Sequence, residues 1–174
     1  MKSTGILRRI DELGRIVIPK EIRKNLKIKD GESLEIFIND DSVILKKYSF
    51  MSDLSEIAQN FADSFYDSLK ENIIITDTNK VIAASSNYKK KYVGKDISMY
   101  LSNIISKRSN NIDNNSNGIE IINGLVESGN SYISNVLVNG DSVGVVLVIS
   151  DNRISSNIEK NCIFISKFLS RHLQ

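Results

Sequence analysis

Pro19, the single proline among the 174 residues, marks the point where the sequence changes from a strand pattern to a helix pattern. Residues 15–18 form a short, mainly apolar run, and Gly14 before them is typical of a turn. Proline is tolerated in the first turn of a helix, where its missing N–H is not needed. The sequence therefore predicts a turn, a short strand and a helix from residue 19 to residue 26.

One side of this predicted helix is basic. Its cations recur at the spacing i, i+3, i+4 and i+7, which places them on one stripe: Lys20, Arg23, Lys24 and Lys27. Residues 1–30 carry nine basic and four acidic side chains, a net charge of +5, whereas the whole chain carries +2, so the rest sums to −3. This asymmetry favours a nucleic acid or another anionic surface as the partner of the N-terminal segment. The alternative is that the stripe is only the solvated face of the helix.

The first 48 residues predict five short elements in the order ββαββ. The predicted strands are 3–11, 15–18, 33–38 and 42–47, with the helix 19–26 in the middle. So short a segment does not bury a core alone, and domains of this size usually need disulfides, metal or oligomerisation. The single Cys162 and the single His172 exclude an internal disulfide and a cluster of soft metal ligands. Obligate dimerisation is the remaining possibility.

The same segment closely resembles the AbrB-type swapped-hairpin DNA-binding domain. The resemblance is carried by TGILRRIDELGRIVIPKEIR at residues 4–23, LEIFI at 34–38 and VILKKY at 43–48. It implies that two chains exchange hairpins to form one β-barrel that binds double-stranded DNA. By position, it implies that the DNA-binding residues are Arg8, Arg15, Arg23 and Lys24, with Arg9 and Lys20 as further candidates.

Two points qualify what this resemblance implies. Lys24 stands where relatives frequently have arginine, and lysine lacks the planar fork that binds guanine, so we expect it to contact the DNA backbone. Toxin antidotes use the same barrel, and a protein-interaction module or an assembly scaffold is therefore the alternative function.

The remaining residues predict a helix and a second domain. Apolar residues recur at helical spacing over 53–69, so residues 51–71 are expected to form a linker helix that transmits a state between domains or packs on the following sheet. Further along the chain, the predicted strands are 72–76, 80–84, 119–122, 131–138 and 142–149, and the predicted helices are 99–107 and 157–173. Residues 92–98 are expected to be a loop or short helix, and 109–118 a polar loop. The fold class is α+β with an antiparallel sheet, and the element order resembles a GAF domain.

An AbrB-type domain (1–50), a linker helix (51–71) and a GAF-like domain (72–174) together resemble a family of sporulation regulators. The resemblance implies a homotetrameric, cytoplasmic transcriptional regulator that acts in the forespore as activator and repressor. The GAF-like domain is expected to oligomerise or to bind an unidentified small molecule. The basic cluster formed by residues 88–91 and Lys95 is either an anion site or a solvated loop. The sequence contains no nucleophile–base pair, phosphate loop or long apolar span, so no enzyme, cofactor, metal or membrane partner is predicted.

Overall fold

The chain divides into two compact units, residues 1–48 and residues 49–174. The computed structural model describes residues 5–26, 28, 30–31, 33–49, 51–108, 110–113 and 118–173. Both units combine helices with antiparallel strands, so the α+β class is confirmed. No helix in these described ranges has the length and apolar character needed to cross a membrane.

The first unit contains one short helix and one β-hairpin. Helix α1 is Lys20–Asn25, and Pro19 precedes it as the N-cap residue, as the strand-to-helix change at this proline predicts. Strands β1 (Leu34–Asn39) and β2 (Ser42–Lys47) pair antiparallel in the register Leu34↔Lys47 to Asn39↔Ser42. This hairpin is the one that the sequence predicts at residues 33–47.

Two predicted strands of the first unit are not observed as strands. Residues 5–10 and 15–18 join no β-ladder in the described part of this chain, and residues 3 and 4 lie outside the described residues. A tight turn connects the two segments, in which Gly14 N donates to Asp11 O at 2.9 Å and Asp11 N donates to Arg15 O at 3.1 Å. A strand is defined by its pairing with a neighbour, and the described residues of one chain provide no ladder for these segments.

The described residues of the first unit form no core within one chain. Among its described residues none is buried, and large apolar side chains lie on the surface. Leu7 is 91% exposed and Ile38 is 83% exposed. Because burying an apolar side chain stabilises a fold by about 1.5–3 kcal/mol, this unit lacks the main source of folding free energy that other domains have.

The second unit is built on a five-stranded antiparallel sheet. Its strands are β3 (Asn72–Asp77), β4 (Val81–Ala84), β5 (Asn111–Asp113), β8 (Asn130–Val138) and β9 (Asp141–Ser150), in the spatial order β4-β3-β9-β8-β5. A separate hairpin consists of β6 (Ile119–Ile122) and β7 (Leu125–Glu127). The helices are α2 (Ser55–Leu69), α3 (Ser86–Tyr92), α4 (Met99–Lys107) and α5 (Ser156–His172).

Alternation along the strands gives the sheet two apolar faces. Ile73 and Ile75 point to a core formed with α2 and α5, whereas Ile74 points to a core formed with α3, α4 and the β6–β7 hairpin. Both faces are covered, which explains why the central strands are apolar almost without interruption. Helix α2, which falls in the predicted linker 51–71, packs on the first of these cores and belongs to the second unit.

Local signals predict most of the second unit, with two corrections. Helix α4 has the predicted bounds, and α5 differs by one residue at each end. Residues 93–98, expected to be a loop or short helix, are a loop, whereas α3 at Ser86–Tyr92 was not predicted as a helix; Tyr92 anchors it in the core. Residues 111–113, inside the predicted loop 109–118, form the edge strand β5, because β8 offers them an open edge.

Candidate nucleic-acid interface

Arg15 is held in place by the turn that contains Asp11. The backbone N–H groups of Arg15 and Leu13 donate to Asp11 Oδ1 at 2.8 and 3.0 Å, and Arg15 Nε donates to Asp11 Oδ2 at 2.7 Å. Gly14 has φ +75°, a backbone conformation that other residues rarely adopt. The hydrogen bonds from the backbone and the side chain of Arg15 lower the pKa of the Asp11 carboxyl below its ordinary 3.8. Arg15 therefore presents an exposed guanidinium from an ordered turn.

Arg23 lies on α1 and is paired with a carboxylate beyond the helix. Its Nη1 donates to Asp30 Oδ1 at 2.5 Å, and the arginine is half-buried while Asp30 is almost fully exposed. Arg23 Nε is buried and has no hydrogen-bond partner among the described residues. A guanidinium has five N–H donors, so this position of the side chain leaves part of its donor capacity unused.

The other predicted DNA contacts are exposed cations. Arg8 donates from Nη1 to Leu7 O at 3.2 Å. Arg9, Lys20 and Lys24 are exposed and form no ion pair within the part of the chain that the structure describes. All six predicted side chains thus lie in the first unit with at least part of the side chain accessible. Lys27, the fourth member of the predicted stripe, lies outside the described residues.

The basic side chains share the first unit with a large apolar surface. Its exposed large apolar residues are Ile6, Leu7, Ile10, Leu13, Ile16, Val17, Leu26, Ile36, Phe37, Ile38, Val43, Leu45 and Tyr48. Monomeric proteins rarely expose apolar patches of more than a few hundred Å², and larger ones mark interaction sites. The apolar surface therefore marks an interaction site, and the basic side chains are a second feature of the same short segment.

Sequence reasoning missed the two carboxylates that organise the cations. Asp11 was available from a local signal, because an aspartate three residues before a glycine is typical of a turn in which the side chain accepts backbone N–H groups. Asp30 has no such signal, since its pairing with Arg23 depends on how the chain folds back after α1. The described ranges hold no group of three or more His, Cys, Asp or Glu side chains arranged to bind a metal ion.

Two family models match the chain. The model described as stage V sporulation protein T C-terminal, transcription factor, matches residues 53–174. The model described as antidote-toxin recognition MazE, bacterial antitoxin, matches residues 7–51. The two matches meet close to the division between the structural units at residue 48.

Similar proteins match the whole chain or one of its units. Stage V sporulation protein T of Bacillus subtilis (strain 168) is 41% identical over 177 residues, which cover 100% of this chain and 99% of the relative. Transition state regulatory protein AbrB of the same organism is 58% identical over 48 residues, 28% of this chain and 50% of the relative. The GAF domain from Acinetobacter phosphoenolpyruvate-protein phosphotransferase has a TM-score of 0.53 at 13% identity, covering 74% of this chain and 84% of that one. The last likeness confirms the GAF-like fold of the second unit.

Proposed function

The chain belongs to the stage V sporulation protein T family, and from this premise we propose that it is a DNA-binding transcriptional regulator of sporulation genes rather than an enzyme. The observation that carries the proposal is the charge of the first unit: residues 1–30 have a net charge of +5, and their described arginines and lysines are at least partly exposed. Its 48 residues are also 58% identical to the regulator AbrB. By family resemblance, we infer that the protein activates some genes and represses others in the forespore cytoplasm.

Arg8, Arg15, Arg23 and Lys24 are the proposed DNA contacts, with Arg9 and Lys20 beside them. When DNA binds, Arg15 exchanges the carboxylate of Asp11 for a phosphate, and Arg23 exchanges that of Asp30. Exposed ion pairs contribute about 0–1 kcal/mol, so this exchange costs little. Lysine and arginine contacts to phosphates position the protein, and sequence preference then arises from the shape of the DNA as well as from base contacts.

The DNA-binding form is proposed to be a dimer of the first unit. The support is the absence of any buried residue among the described residues 5–48, together with the exposed faces of Leu7 and Ile38. A partner chain would cover these side chains and supply neighbouring strands for segments 5–10 and 15–18, which join no ladder among the described residues of one chain. Two-fold pairing also doubles the number of cations on one surface.

The second unit is proposed to extend this dimer to a homotetramer. Phe164 of α5 is 59% exposed and lies with its ring centroid 6.5 Å from that of Phe61 on α2. Phe168 packs against Phe61 at 4.9 Å, so an aromatic surface spans the outer side of both helices. Aromatic side chains are enriched at protein interfaces, and this surface is the proposed contact between copies.

The salt dependence of DNA binding tests the proposal. Genomic fragments selected by the full chain are titrated with protein from 50 to 200 mM salt, and for six to ten phosphate contacts the affinity falls about 10³–10⁵-fold. The double variant Arg15→Ala/Arg23→Ala weakens binding and makes the salt dependence shallower. The control is Lys89→Ala/Lys90→Ala, two exposed lysines of the second unit. A flat salt response, or a double variant that binds like the unaltered protein, would contradict the proposal.

The match of residues 7–51 to an antitoxin family model supports a second candidate, a protein-interaction module such as a toxin antidote. This function requires a protein partner that co-purifies with the chain in a fixed ratio. It also requires that the Arg15→Ala/Arg23→Ala variant retains the partner and the biological activity. Pull-down from the native lysate, followed by the same pull-down with the variant, separates the two functions.

A further inference from the structure

The β6–β7 hairpin covers one face of the second unit without joining the five-stranded sheet. Ile119 and Ile121 on β6 are buried against the core that contains α3 and α4. A glycine with positive φ lies at each side of the hairpin, Gly118 at +80° and Gly129 at +118°. The hairpin is thus a separate element that is connected to its surroundings by side-chain and loop contacts.

Its β6 side is attached to the N-terminus of α4 by uncharged groups. Ser98 Oγ donates to Glu120 O at 2.6 Å, and Ser98 N donates to Ile121 O at 2.8 Å. Met99 N donates to Asn123 Oδ1 at 3.2 Å. These contacts involve the strand β6 and the turn, and none of them involves a carboxylate group.

Its β7 side ends on a carboxylate that receives three donors from α3. The Tyr88 hydroxyl donates to Glu127 Oε2 at 3.0 Å. Tyr92 Oη and Lys91 Nζ both donate to Glu127 Oε1. The Glu127 side chain is only 14% exposed. Burial acts to raise the pKa of the Glu127 carboxyl, but the hydrogen bonds from Lys91, Tyr92 and Tyr88 outweigh it, so the pKa lies below its ordinary value.

The three donors are brought together by the helical spacing of α3. Tyr88, Lys91 and Tyr92 are at the spacing i, i+3 and i+4, which brings their side chains to one side of a helix. The Tyr88 and Tyr92 rings pack edge to face at 5.4 Å, and Lys91 Nζ lies 5.3 Å from the Tyr92 ring centroid. Burial first, and then the hydrogen bond to Glu127, raises the pKa of both tyrosine hydroxyls, so both remain donors at neutral pH.

A group of two hydroxyl donors and one ammonium is complementary to a carboxylate, whichever molecule carries it. If Glu127 leaves, the donors lose their charged acceptor, which is costly for groups that are partly or fully buried. Another carboxylate of similar size would restore every lost hydrogen bond. The positive charge of Lys91 distinguishes such a ligand from a neutral one.

We propose that Tyr88, Lys91 and Tyr92 form a binding site for a small molecule carrying a carboxylate, and that Glu127 occupies this site as an internal ligand. The external carboxylate takes the three donors when the β7 side of the hairpin lifts, while the contacts of Ser98 hold the β6 side. Binding of the ligand and closure of the hairpin therefore exclude each other. The site lies in the second unit and is independent of DNA contact by the first.

Chemical rescue of Glu127→Ala tests the site. This substitution removes a CH₂–COO⁻ group, which has the size of acetate. The full-length variant is titrated with sodium acetate, and with sodium chloride at equal ionic strength, while the amide signals of residues 88–92 are followed by NMR. We expect a saturable, acetate-specific change in Glu127→Ala that is lost in Glu127→Ala/Lys91→Met. Equal responses of these two variants would overturn the proposal.

Two matched controls separate the site from a general effect of charge. Glu120→Ala removes a carboxylate from the same hairpin, but one that accepts from Gly124 N and not from α3. In the Glu127→Ala background, Lys89→Met removes an exposed lysine of the same helix. We expect no acetate response for Glu120→Ala and an undiminished one for Glu127→Ala/Lys89→Met. An acetate response from Glu120→Ala would overturn the proposal as well.

Hydrogen exchange of Glu127→Gln tests whether the hairpin lifts without unfolding the domain. Glutamine preserves the shape of the side chain but removes the charge that strengthens the three hydrogen bonds. We expect amide exchange to accelerate about tenfold in β7 (Leu125–Glu127) and to stay unchanged in β8 and β9. Faster exchange throughout the second unit, or no change in the hairpin, would show that Glu127 has only a structural role and would overturn the proposal.

Discussion

Gln59 takes the place of a neighbouring strand at one edge of the five-stranded sheet. Its Nε2 donates to Ala84 O at 3.0 Å and its Oε1 accepts from Ala84 N at 3.4 Å, which is the pattern of a backbone pair. At the other end of the same strand, Val81 N donates to Lys95 O and Gly94 N donates to Val81 O, at 3.0 and 2.8 Å. Open strand edges are sites of aggregation, and here a side chain and a loop cover one.

The opposite edge is closed in the same way. Within the described residues, β5 pairs with residues 131–133 of β8. Beyond that point, Asn135 N donates to Asn110 Oδ1 at 3.0 Å, and Leu137 N donates to Ser170 Oγ at 3.1 Å. Three side chains from outside the sheet, those of Gln59, Asn110 and Ser170, therefore bond to backbone groups of β4 and of the part of β8 beyond β5.

Gln59→Ala should destabilise the second unit by about 1–2 kcal/mol, because it leaves the N–H and the carbonyl of Ala84 without their partner. Urea unfolding of the full chain, followed by circular dichroism, measures this loss. Asn161→Ala is the matched control, since its side chain bonds only to Asn157 on the exposed side of α5. Equal effects of the two substitutions would refute the role assigned to Gln59.

The carboxyl of Asp11 should titrate below its ordinary value, as its hydrogen bonds from Arg15 require. Because its pKa in the folded state is lowered, its contribution to the turn is fully present above pH 3.8 and is lost as the pH falls through the folded value. Carbon-detected NMR of the carboxyl measures the midpoint. Arg15→Ala should move the midpoint up towards 3.8, and Arg8→Ala should leave it in place. A midpoint that does not respond to Arg15→Ala contradicts the geometry.

At the scale of elements, a hydrogen bond between two serines joins α5 to the sheet, in addition to the packing of the apolar side of the helix. Ser134 on β8 and Ser166 on α5 are both buried, with their Oγ atoms 2.8 Å apart. Ser166 Oγ donates to Ile163 O at 2.9 Å, so Ser134 is the donor between the two serines. The helix is thus fixed in register on the sheet by a directional contact, where apolar packing alone would tolerate a small shift.

The two serines should have unequal effects when they are replaced. Ser166→Ala leaves the buried Ser134 hydroxyl without an acceptor and should cost about 1–3 kcal/mol. Ser134→Ala leaves Ser166 bonded to Ile163 O and should cost about 1 kcal/mol or less. Thermal or urea unfolding of both variants and of the double variant gives the two losses and their coupling. A larger loss for Ser134→Ala would reverse the assigned donor.

The elements also show where sequence reasoning succeeds. α4 and α5 were predicted closely because their apolar spacing is regular, and the β8–β9 hairpin because Asn139 and Gly140 suit a turn in which both residues have positive φ. α3 was not predicted, because its three consecutive lysines resemble a solvated loop. Only the buried contacts of Tyr92 and the core beneath it favour a helix there.

The DNA-contact residues stay a prediction. They were selected from the charge pattern and the AbrB-type resemblance, because both are properties of the sequence alone. The pairing of Arg23 with Asp30, the donors around Glu127 and the edge contact of Gln59 were not predictable. Each of them joins residues that only the folded backbone brings together.

At the scale of the whole molecule, the two units depend on different sources of stability. The second unit has two extensive apolar cores within one chain, whereas the described residues of the first have none. In the proposed dimer, the first unit gains comparable burial from another chain. Its stability is then linked to protein concentration, and that of the second unit is not linked in the same way.

Unfolding at several protein concentrations should separate the two units. We expect the transition of residues 1–48 to move to higher temperature as the concentration rises, because association stabilises the folded form by mass action. The fragment 49–174 should retain a cooperative transition of its own, because it contains both cores. Calorimetry of the full chain and of this fragment checks both expectations. If the transition temperature of residues 1–48 does not change with protein concentration, dimerisation is excluded as the source of stability of the first unit.

The strand order has a consequence for how the chain is made. β9, the last strand to be synthesised, lies in the centre of the sheet between β3 and β8, so the sheet cannot close before residue 150 has left the ribosome. The first unit is complete about a hundred residues earlier, an interval of roughly 5–20 s at common rates of translation. During this interval the N-terminal segment, with its exposed apolar side chains, is already available to another chain. Pairing of neighbouring nascent chains on one messenger RNA would then precede folding of the second unit.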